Sequence, residues 1–145
     1  MASSDLSRFV ERQRLEYAGA LEEISNGRKV GHWIWFIFPQ LAGLGKSAES
    51  VTYGVAGLAE ARAYMAHPVL GPRLQACAHA LLAVEGRNVT EILGDTDAMK
   101  LRSCATLFAA VMPAGSVFEQ LLAKYYNGER DGLTLRALRA QGETV

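Results

Sequence analysis

The chain has 145 residues and a mass of 15.7 kDa, which is the size of a single domain. Its 15 lysine and arginine residues balance 15 aspartate and glutamate residues, which excludes the basic footprint of most nucleic-acid binders and also an acidic tail. Half of the residues are apolar, enough to bury a core, so we expect a folded chain rather than a disordered one.

The first predicted element is an amphipathic helix that begins near Asp5, its expected cap, and ends at about Ser25. The dipeptide Asn26-Gly27 supplies the stop. Apolar side chains recur at helical spacing along one face of this segment: Leu6, Phe9, Val10, Tyr17, Leu21 and Ile24.

The segment from Gly31 to Gly57 departs from this helical pattern, and near its start lies the apolar run HWIWFIFPQ. Hydrophobic periodicity is compatible here with either a buried strand or a buried helical turn. We predict a helix of roughly two turns over residues 32–38, because the chain offers no partner strands to satisfy the backbone groups. At least two of its large aromatic side chains should be nearly buried: Trp33, Trp35, Phe36 and Phe38.

The sequence GLGKS at residues 43–47 resembles the end of the phosphate-binding loop G-x-x-x-x-G-K-S/T. In that loop, backbone N–H groups cradle phosphates and the lysine meets their charge. Gln40 takes the place of the first glycine and no parallel sheet is predicted, which disfavours a nucleotide triphosphatase. Two interpretations remain: a glycine-bearing surface loop, or a loop whose N–H groups and Lys46 bind an anion in another fold.

The rest of the chain predicts further helices with short connections. In chain order they are LAEARAYMA at residues 58–66, ended by His67-Pro68; a helix from Pro68 or Pro72 to about Val84; the short NVTEIL with a capping box of Asn88 and Glu91; a helix capped by Asp95 or Thr96 and running to Val111; one after Ser116 that ends at Asn127-Gly128; and a last one from Leu133 to Arg139, capped by Asp131. Residues 141–145 are expected to fray.

These elements predict an all-α fold, a single compact orthogonal-type helical domain of about six or seven helices. The domain is expected to span residues 1–145, with an ordered core over about residues 5–140.

Seven side chains are candidates for a ligand-binding site: His32, Trp35, Gln40, Lys46, Ser47, Tyr53 and Lys100. For the tryptophan, a place in the core is the plainer alternative to stacking on a ligand, and for His32 a hydrogen bond inside the core. Lys100 shares a helix face with Leu107, so it must extend to solvent, meet a ligand or pair with a carboxylate.

Lys46 and Lys100 are predicted to serve one anion site. This requires the loop after the aromatic run to fold back onto the N-terminal half of the helix that starts near Thr96, where free N–H groups suit an anion. In the structural alternative, Lys100 pairs with Asp95 or Asp97 and Lys46 is a solvated loop residue.

Cys77 and Cys104 are too few for a disulfide scaffold, and their spacing fits no zinc site. We expect both thiols to be reduced, and we expect no cofactor. We also expect no metal, because the three histidines are scattered. The N-terminus lacks the apolar stretch of a signal peptide, and the most apolar run is too short to span a membrane. We therefore expect a cytoplasmic protein without membrane or nucleic-acid partners, with its oligomeric state open.

Several strings of the sequence resemble domain-of-unknown-function family 1810: HWIWFIFPQ, GLGKSAES with Tyr53, EARAYMAHPVLGPRL, ILGDTDAMKLRSCATLF and VFEQLLAKYYNGERDGLTL. The resemblance covers about Leu6 to Leu138, and the chain is similar to the mycobacterial member of this bacterial family. It implies a mainly α-helical fold, with the apolar run as a helix, and it implies no activity. More remotely, the family resembles helical domains that cleave N-glycosidic bonds in nucleotide- or ADP-ribose-derived compounds, from which no catalytic residue carries over.

The leading hypothesis is a small-molecule pocket for a nucleotide-like or anionic ligand, formed by the seven candidate side chains. N-glycosidic hydrolysis would need a carboxylate that activates water, for which Asp95 and Asp97 are the candidates. The alternative is a non-catalytic protein-interaction domain, in which the aromatic run is core and the loop is a contact surface. A deep pocket with a polar mouth favours the first hypothesis, and a flat apolar patch favours the second.

Overall fold

The computed structural model describes residues 5–145; residues 1–4, which begin the segment predicted to lack a signal peptide, lie outside the described residues. Over residues 5–145 the chain forms nine helices and no strand: α1 (Ser7–Ser25), α2 (Ile34–Ile37), α3 (Ala48–Thr52), α4 (Leu58–Ala66), α5 (Leu70–Leu82), α6 (Val89–Leu93), α7 (Asp95–Ala109), α8 (Val117–Tyr126) and α9 (Gly132–Ala140). The predicted all-α fold is confirmed. The count exceeds the predicted six or seven. Three of the nine are helices of four or five residues, and of these α2 and α6 fall on predicted segments, whereas α3 was not predicted.

The core is organised around α5 and α7. Helix α8 packs against both, α1 and α4 pack against α5, and α6 and α9 pack against α7. Nine of the 15 residues of α7 are buried, and several of them are small, which lets the neighbouring helices approach closely. No helix within residues 5–145 is long and apolar enough to cross a membrane.

The apolar run is helical, as predicted, but α2 has only four residues. It ends before Phe38, whose backbone is not helical (φ −123°, ψ 74°), because a residue that precedes proline is pushed out of the helical region. Trp33, Phe36 and Phe38 are buried and Trp35 is half-buried, so the predicted burial of the aromatic side chains is confirmed. Gln13 of α1 fixes the turn, since its Nε2 donates to the carbonyl of Phe36 at 2.6 Å.

Residues 41–55, here called the 41–55 loop, are closed at their base by two backbone hydrogen bonds. Ala42 N donates to Val55 O at 2.7 Å, and Val55 N donates to Gln40 O at 2.8 Å. Arg8 of α1 anchors the C-terminal end of the loop, because its guanidinium donates to the carbonyls of Thr52 at 2.8 Å and of Gly54 at 3.0 Å. The loop carries α3 and has a defined shape, although no strand precedes it. Within residues 5–145 the chain lacks the strand that precedes the loop of a nucleotide triphosphatase, the interpretation that the sequence already disfavoured.

The helix ends follow the predicted caps except at α1 and α7. The N-cap of α1 is Leu6 rather than Asp5, although Asp5 Oδ1 accepts from Ser7 N at 3.0 Å. Asn88 and Glu91 form the capping box, and Asp131 caps α9 by accepting from Thr134 N at 2.9 Å. Neither Asp95 nor Thr96 caps α7, because the helix already begins at Asp95, after Gly94 in a left-handed conformation.

The C-terminal residues, predicted to fray, make hydrogen bonds in the structure. Gln141 Nε2 donates to the carbonyl of Ala56 at 3.0 Å, and the guanidinium of Arg139 donates to the carbonyl of Val145. The contact with Ala56 joins the segment after α9 to the residues that follow the 41–55 loop.

Candidate functional site

A cavity of about 200 Å³ lies where the 41–55 loop covers the N-terminal half of α7 and the start of α9. Its walls combine polar and apolar groups: Gln40, Leu44, Gly45, Ser50, Thr96, Met99, Lys100, Ser103, Asp131 and Leu133. Met99 and Leu133 stand at the mouth, exposed by 70% and 57%. The loop therefore folds back onto the helix in the way that a shared site requires.

A narrow recess adjoins the cavity and shares Gln40, Gly45 and Ser50 with it. Its volume is about 10 Å³, which is room for about one water molecule or one ligand oxygen. Glycine is required at position 45, because a Cβ atom there would lie 2.4 Å from Ser50 Oγ and 2.8 Å from Ser50 Cβ. The loop thus comes close to α3 only because residue 45 has no side chain.

Trp35 lines the recess, and its indole N–H is buried without a hydrogen-bond acceptor among the described residues. A buried donor without a partner costs about 1–3 kcal/mol, so such groups are uncommon in folded proteins. Trp33 is the opposite case, since its indole N–H donates to Glu23 Oε1 at 2.9 Å. The two tryptophans therefore differ in their indole N–H groups: that of Trp33 donates a hydrogen bond, and that of Trp35 does not.

Lys100 stands against the face of the Trp35 ring, with Nζ 4.5 Å from the ring centre. Its carboxylate neighbour is Asp97, 3.7 Å away, and Asp97 is bound more tightly to Lys29, at 2.7 Å. Lys100 is thus only loosely paired and keeps donors for another acceptor. The predicted alternative, an ion pair between Lys100 and a neighbouring aspartate, is present in the structure.

Glu23 holds the segment that leads into α2. Its Oε1 accepts from the backbone N–H groups of Val30 at 2.7 Å and of Gly31 at 2.8 Å, and from Trp33. Burial opposes ionisation of this carboxyl, yet the three donors together hold the pKa of Glu23 below its usual value. This carboxylate positions Trp33 and, with it, the start of the aromatic run.

The sequence profile of a family described as protein of unknown function (DUF1810) matches residues 3–138. The chain belongs to this family. The DUF1810 chain is also similar to a solved structure, the conserved hypothetical protein Rv1873 from Mycobacterium tuberculosis, with 49% sequence identity and a TM-score of 0.91. The match covers 93% of this chain and 96% of the mycobacterial one. A comparison with curated proteins gives no match.

Four of the seven candidate side chains of this DUF1810 protein line the cavity or its recess: Trp35, Gln40, Tyr53 and Lys100. Tyr53 is also fixed from behind, since its ring packs 5.7 Å from that of Phe9 and 5.5 Å from that of Phe36. The face of Trp35 that Lys100 covers is not open to a stacking ligand.

The other three candidates lie outside the cavity. His32 and Lys46 are exposed, and neither is among the described residues that line it. Ser47 is the N-cap of α3, where its Oγ accepts from Ser50 N at 3.1 Å. A site shared by Lys46 and Lys100 therefore stays a prediction.

Ser50, Ser103 and Asp131 belong to the lining but were not among the candidates. Ser50 lies on a helix that periodicity did not predict. Ser103 reaches the cavity from the apolar stripe of α7, where a small polar side chain is easily taken for core filling. Its spacing of one helical turn from Lys100 was the signal that could have found it.

The two carboxylates considered for N-glycosidic hydrolysis, Asp95 and Asp97, do not line this cavity or its recess. Asp97 is engaged by two lysines, and Asp95 lines another surface depression, of about 390 Å³, between α6, α7 and α8. In that depression Arg102 is paired with Glu129, and the Tyr126 hydroxyl donates to the carbonyl of Ala98. Arg102 and Tyr126, two of the polar residues in this larger depression, thus already have partners.

The two cysteines are free and buried, as predicted. Burial raises the pKa of the Cys77 thiol to about 12 and also raises that of Cys104. A thiol that stays protonated at neutral pH is a poor nucleophile, so both side chains serve as core residues.

Proposed function

We propose that the cavity between the 41–55 loop and α7 is a binding site for a small anionic ligand. The observation that carries this proposal is the buried indole N–H of Trp35, which lacks an acceptor among the described residues. A ligand oxygen, held directly or through one water in the recess, satisfies this donor and removes its cost.

The size of the cavity limits the ligand. Drug-sized ligands usually occupy about 300–1,000 Å³, whereas a cavity of about 150 Å³ already encloses a benzene ring. At about 200 Å³, the site suits a group the size of one ring. The part of a nucleotide-like ligand that it encloses is therefore a single moiety, such as a phosphorylated sugar, rather than a whole dinucleotide.

The charge of the ligand follows from Lys100. This ammonium group lines the cavity, and its carboxylate neighbour Asp97 is shared with Lys29. A hydrogen bond from an ammonium group to a carboxylate or phosphate is about twice as strong as one between neutral groups. An anionic group beside Lys100 that also reaches the Trp35 N–H uses both free donors at once.

The test compares two variants that remove an indole N–H from different places. Binding of inorganic phosphate, ribose 5-phosphate and AMP is measured by calorimetry on the wild-type chain, Trp35→Phe and Trp33→Phe. We expect at least one ligand to bind the wild type, to bind Trp35→Phe at least several-fold more weakly, and to bind Trp33→Phe unchanged.

The same variants should rank in the opposite order for stability, with Trp33→Phe the less stable of the two. Trp33→Phe leaves Glu23 without its indole donor and destabilises the fold, whereas Trp35→Phe removes a donor that has no partner. Absence of binding by all three ligands, or equal loss of affinity in both variants, would contradict the proposal.

A second candidate function is docking of a protein partner, and the exposed side chains of Met99 and Leu133 favour it. They flank a cavity rather than form a flat patch, which is why we place ligand binding first. A double variant, Met99→Gln with Leu133→Gln, separates the two functions. It abolishes docking to a partner but leaves the affinity for a small anion within a few-fold, because the polar wall is intact.

A further inference from the structure

Ser103 is a polar side chain built into the wall of the cavity. It is only 3% exposed, and it faces the junction of α7 with α9. Its Oγ lies 2.7 Å from Thr134 Oγ1, and Thr134 Oγ1 donates to Asp131 Oδ2 at 2.6 Å. The three side chains form a chain of hydrogen bonds that ends on a carboxylate.

The protons in this relay have one arrangement. A carboxylate only accepts, so the single hydroxyl proton of Thr134 is used in the bond to Asp131. Thr134 can then only accept from Ser103, and the single hydroxyl proton of Ser103 is used in that bond. Ser103 therefore offers the cavity lone pairs and no donor.

Lys100 precedes Ser103 by one turn of the same helix and also lines the cavity. Side chains three residues apart on a helix are neighbours, with Cβ atoms about 5–6 Å apart. The ammonium of Lys100 only donates, so the wall presents a cationic donor beside a neutral acceptor. A ligand that matches this wall carries an anionic group next to a hydrogen-bond donor.

We propose that the ligand of this cavity is a hydroxylated phosphate, such as a phosphorylated sugar or polyol, whose hydroxyl donates to Ser103 while its phosphate accepts from Lys100. This inference rests on the proposed function and adds the ligand class to it. The donor is a hydroxyl rather than an ammonium group, because a positive charge next to Lys100 is repelled. The carboxylate of Asp131, which also lines the cavity, attracts an ammonium group, so phosphoethanolamine is included in the test as the competing ligand.

The test uses a pair of ligands that differ in hydroxyl groups alone. Glycerol 3-phosphate and n-propyl phosphate are titrated into the full chain by calorimetry, with inorganic phosphate as the reference. We expect the wild type to bind glycerol 3-phosphate about tenfold more tightly than n-propyl phosphate, the factor that one good hydrogen bond of about 1.4 kcal/mol provides. We expect Ser103→Ala to reduce this ratio to near one.

Thr106→Val is the matched control variant. Thr106 is a buried hydroxyl on the next turn of α7 and accepts from Asp131 N at 2.8 Å, but it does not line this cavity. It loses hydrogen bonds comparable to those lost in Thr134→Val, so both variants should be destabilised. Only Thr134→Val frees the Ser103 proton, and only it should weaken the preference for the hydroxylated ligand.

The outcomes separate this inference from the proposed function. Equal affinity for the two organic phosphates, or a ratio that Ser103→Ala leaves unchanged, overturns the ligand class while anion binding stands. Tighter binding of phosphoethanolamine than of glycerol 3-phosphate also overturns it, because that ligand carries an ammonium group in place of the hydroxyls. Absence of binding by every phosphate overturns the proposed function itself.

Discussion

Replacing Asp97 by asparagine should lower the free energy of unfolding by about 2 kcal/mol. The side chains of Asp97 and Lys29 are only 17% and 9% exposed, and their charged atoms are 2.7 Å apart. Loss of one member of a fully buried pair costs about 3–5 kcal/mol, because the other charge stays behind. We take a smaller value, because both groups touch solvent and asparagine still accepts a hydrogen bond from the lysine.

Lys100→Met is the contrasting variant, and it should cost less than about 1 kcal/mol. Lys100 is farther from Asp97, at 3.7 Å, and methionine still packs on the ring of Trp35. A surface control is Glu11→Gln, which breaks a pair that is 3.5 Å long and about two-thirds exposed at both ends. This variant should be nearly neutral.

Urea denaturation measures the differences as shifts of the midpoint at constant slope. Thermal unfolding of Asp97→Asn should show a midpoint lower by about 4–8 °C for a chain of this size. The loss should persist in high salt, because a largely buried pair is weakly screened. A cost below about 0.5 kcal/mol, or a cost equal to that of Glu11→Gln, would refute the interpretation of Lys29–Asp97 as a structural pair that supports the cavity wall.

Three further predictions concern the fold. The pKa of Glu23 is lowered in the folded state, so its ionised form stabilises the protein fully above a usual glutamate pKa of about 4.3, and this stability is lost as pH falls through the lower folded value. Glu23→Gln should flatten that acid limb of the stability curve, and an unchanged limb would contradict the assignment. Asn88→Ala should lower the free energy of unfolding by about 1 kcal/mol in urea denaturation, because it removes a capping box. An unchanged free energy of unfolding would contradict this role of Asn88. Gly71→Ala should lower the free energy of unfolding by at least about 2 kcal/mol, since its Cβ would lie 2.2 Å from the carbonyl oxygen of Met65. Gly19→Ala should raise it by about 0.5–1 kcal/mol, because a Cβ there would have nothing within 4 Å. Equal changes of stability in the two variants would contradict this reasoning.

The helices with a clear apolar stripe and a local cap could be predicted from the sequence. LAEARAYMA forms α4 over Leu58–Ala66, because His67-Pro68 ends it, and the NVTEIL segment forms α6 behind its capping box. These features depend on residues within a few positions of each other. Local steric and hydrogen-bonding rules therefore determine them before any tertiary contact forms.

The 41–55 loop could not be predicted in this way, because its shape depends on distant residues. Arg8 donates to the carbonyls of Thr52 and Gly54, more than forty positions away, and no periodic pattern announces such a contact. Helix α3 follows from a serine cap at Ser47, but it has no buried residue and so no apolar stripe. Periodicity detects a helix by its buried face, and this helix lacks one.

The site could be predicted only in part, because some of its contacts also join residues that are distant in sequence. Trp35, Gln40 and Lys100 stood out by chemical type in unusual surroundings, and they do line the cavity or its recess. Ser103 and Asp131 acquire their significance only from the docking of α9 on α7, which places Thr134 between them. A hydrogen-bond relay across two helices has no signature in the order of residues along the chain.

The most direct measurement of the central claim is the indole N–H spectrum of the ¹⁵N-labelled protein during a titration with glycerol 3-phosphate. The chain has two tryptophans, so two indole signals are expected, and Trp35→Phe and Trp33→Phe assign them. The account predicts that the Trp35 signal moves downfield as its N–H gains an acceptor, with a saturation curve that matches calorimetry. The Trp33 signal, already bonded to Glu23, stays in place. A titration in which the phosphate binds and the Trp35 signal does not move, or in which only Trp33 responds, would contradict the account.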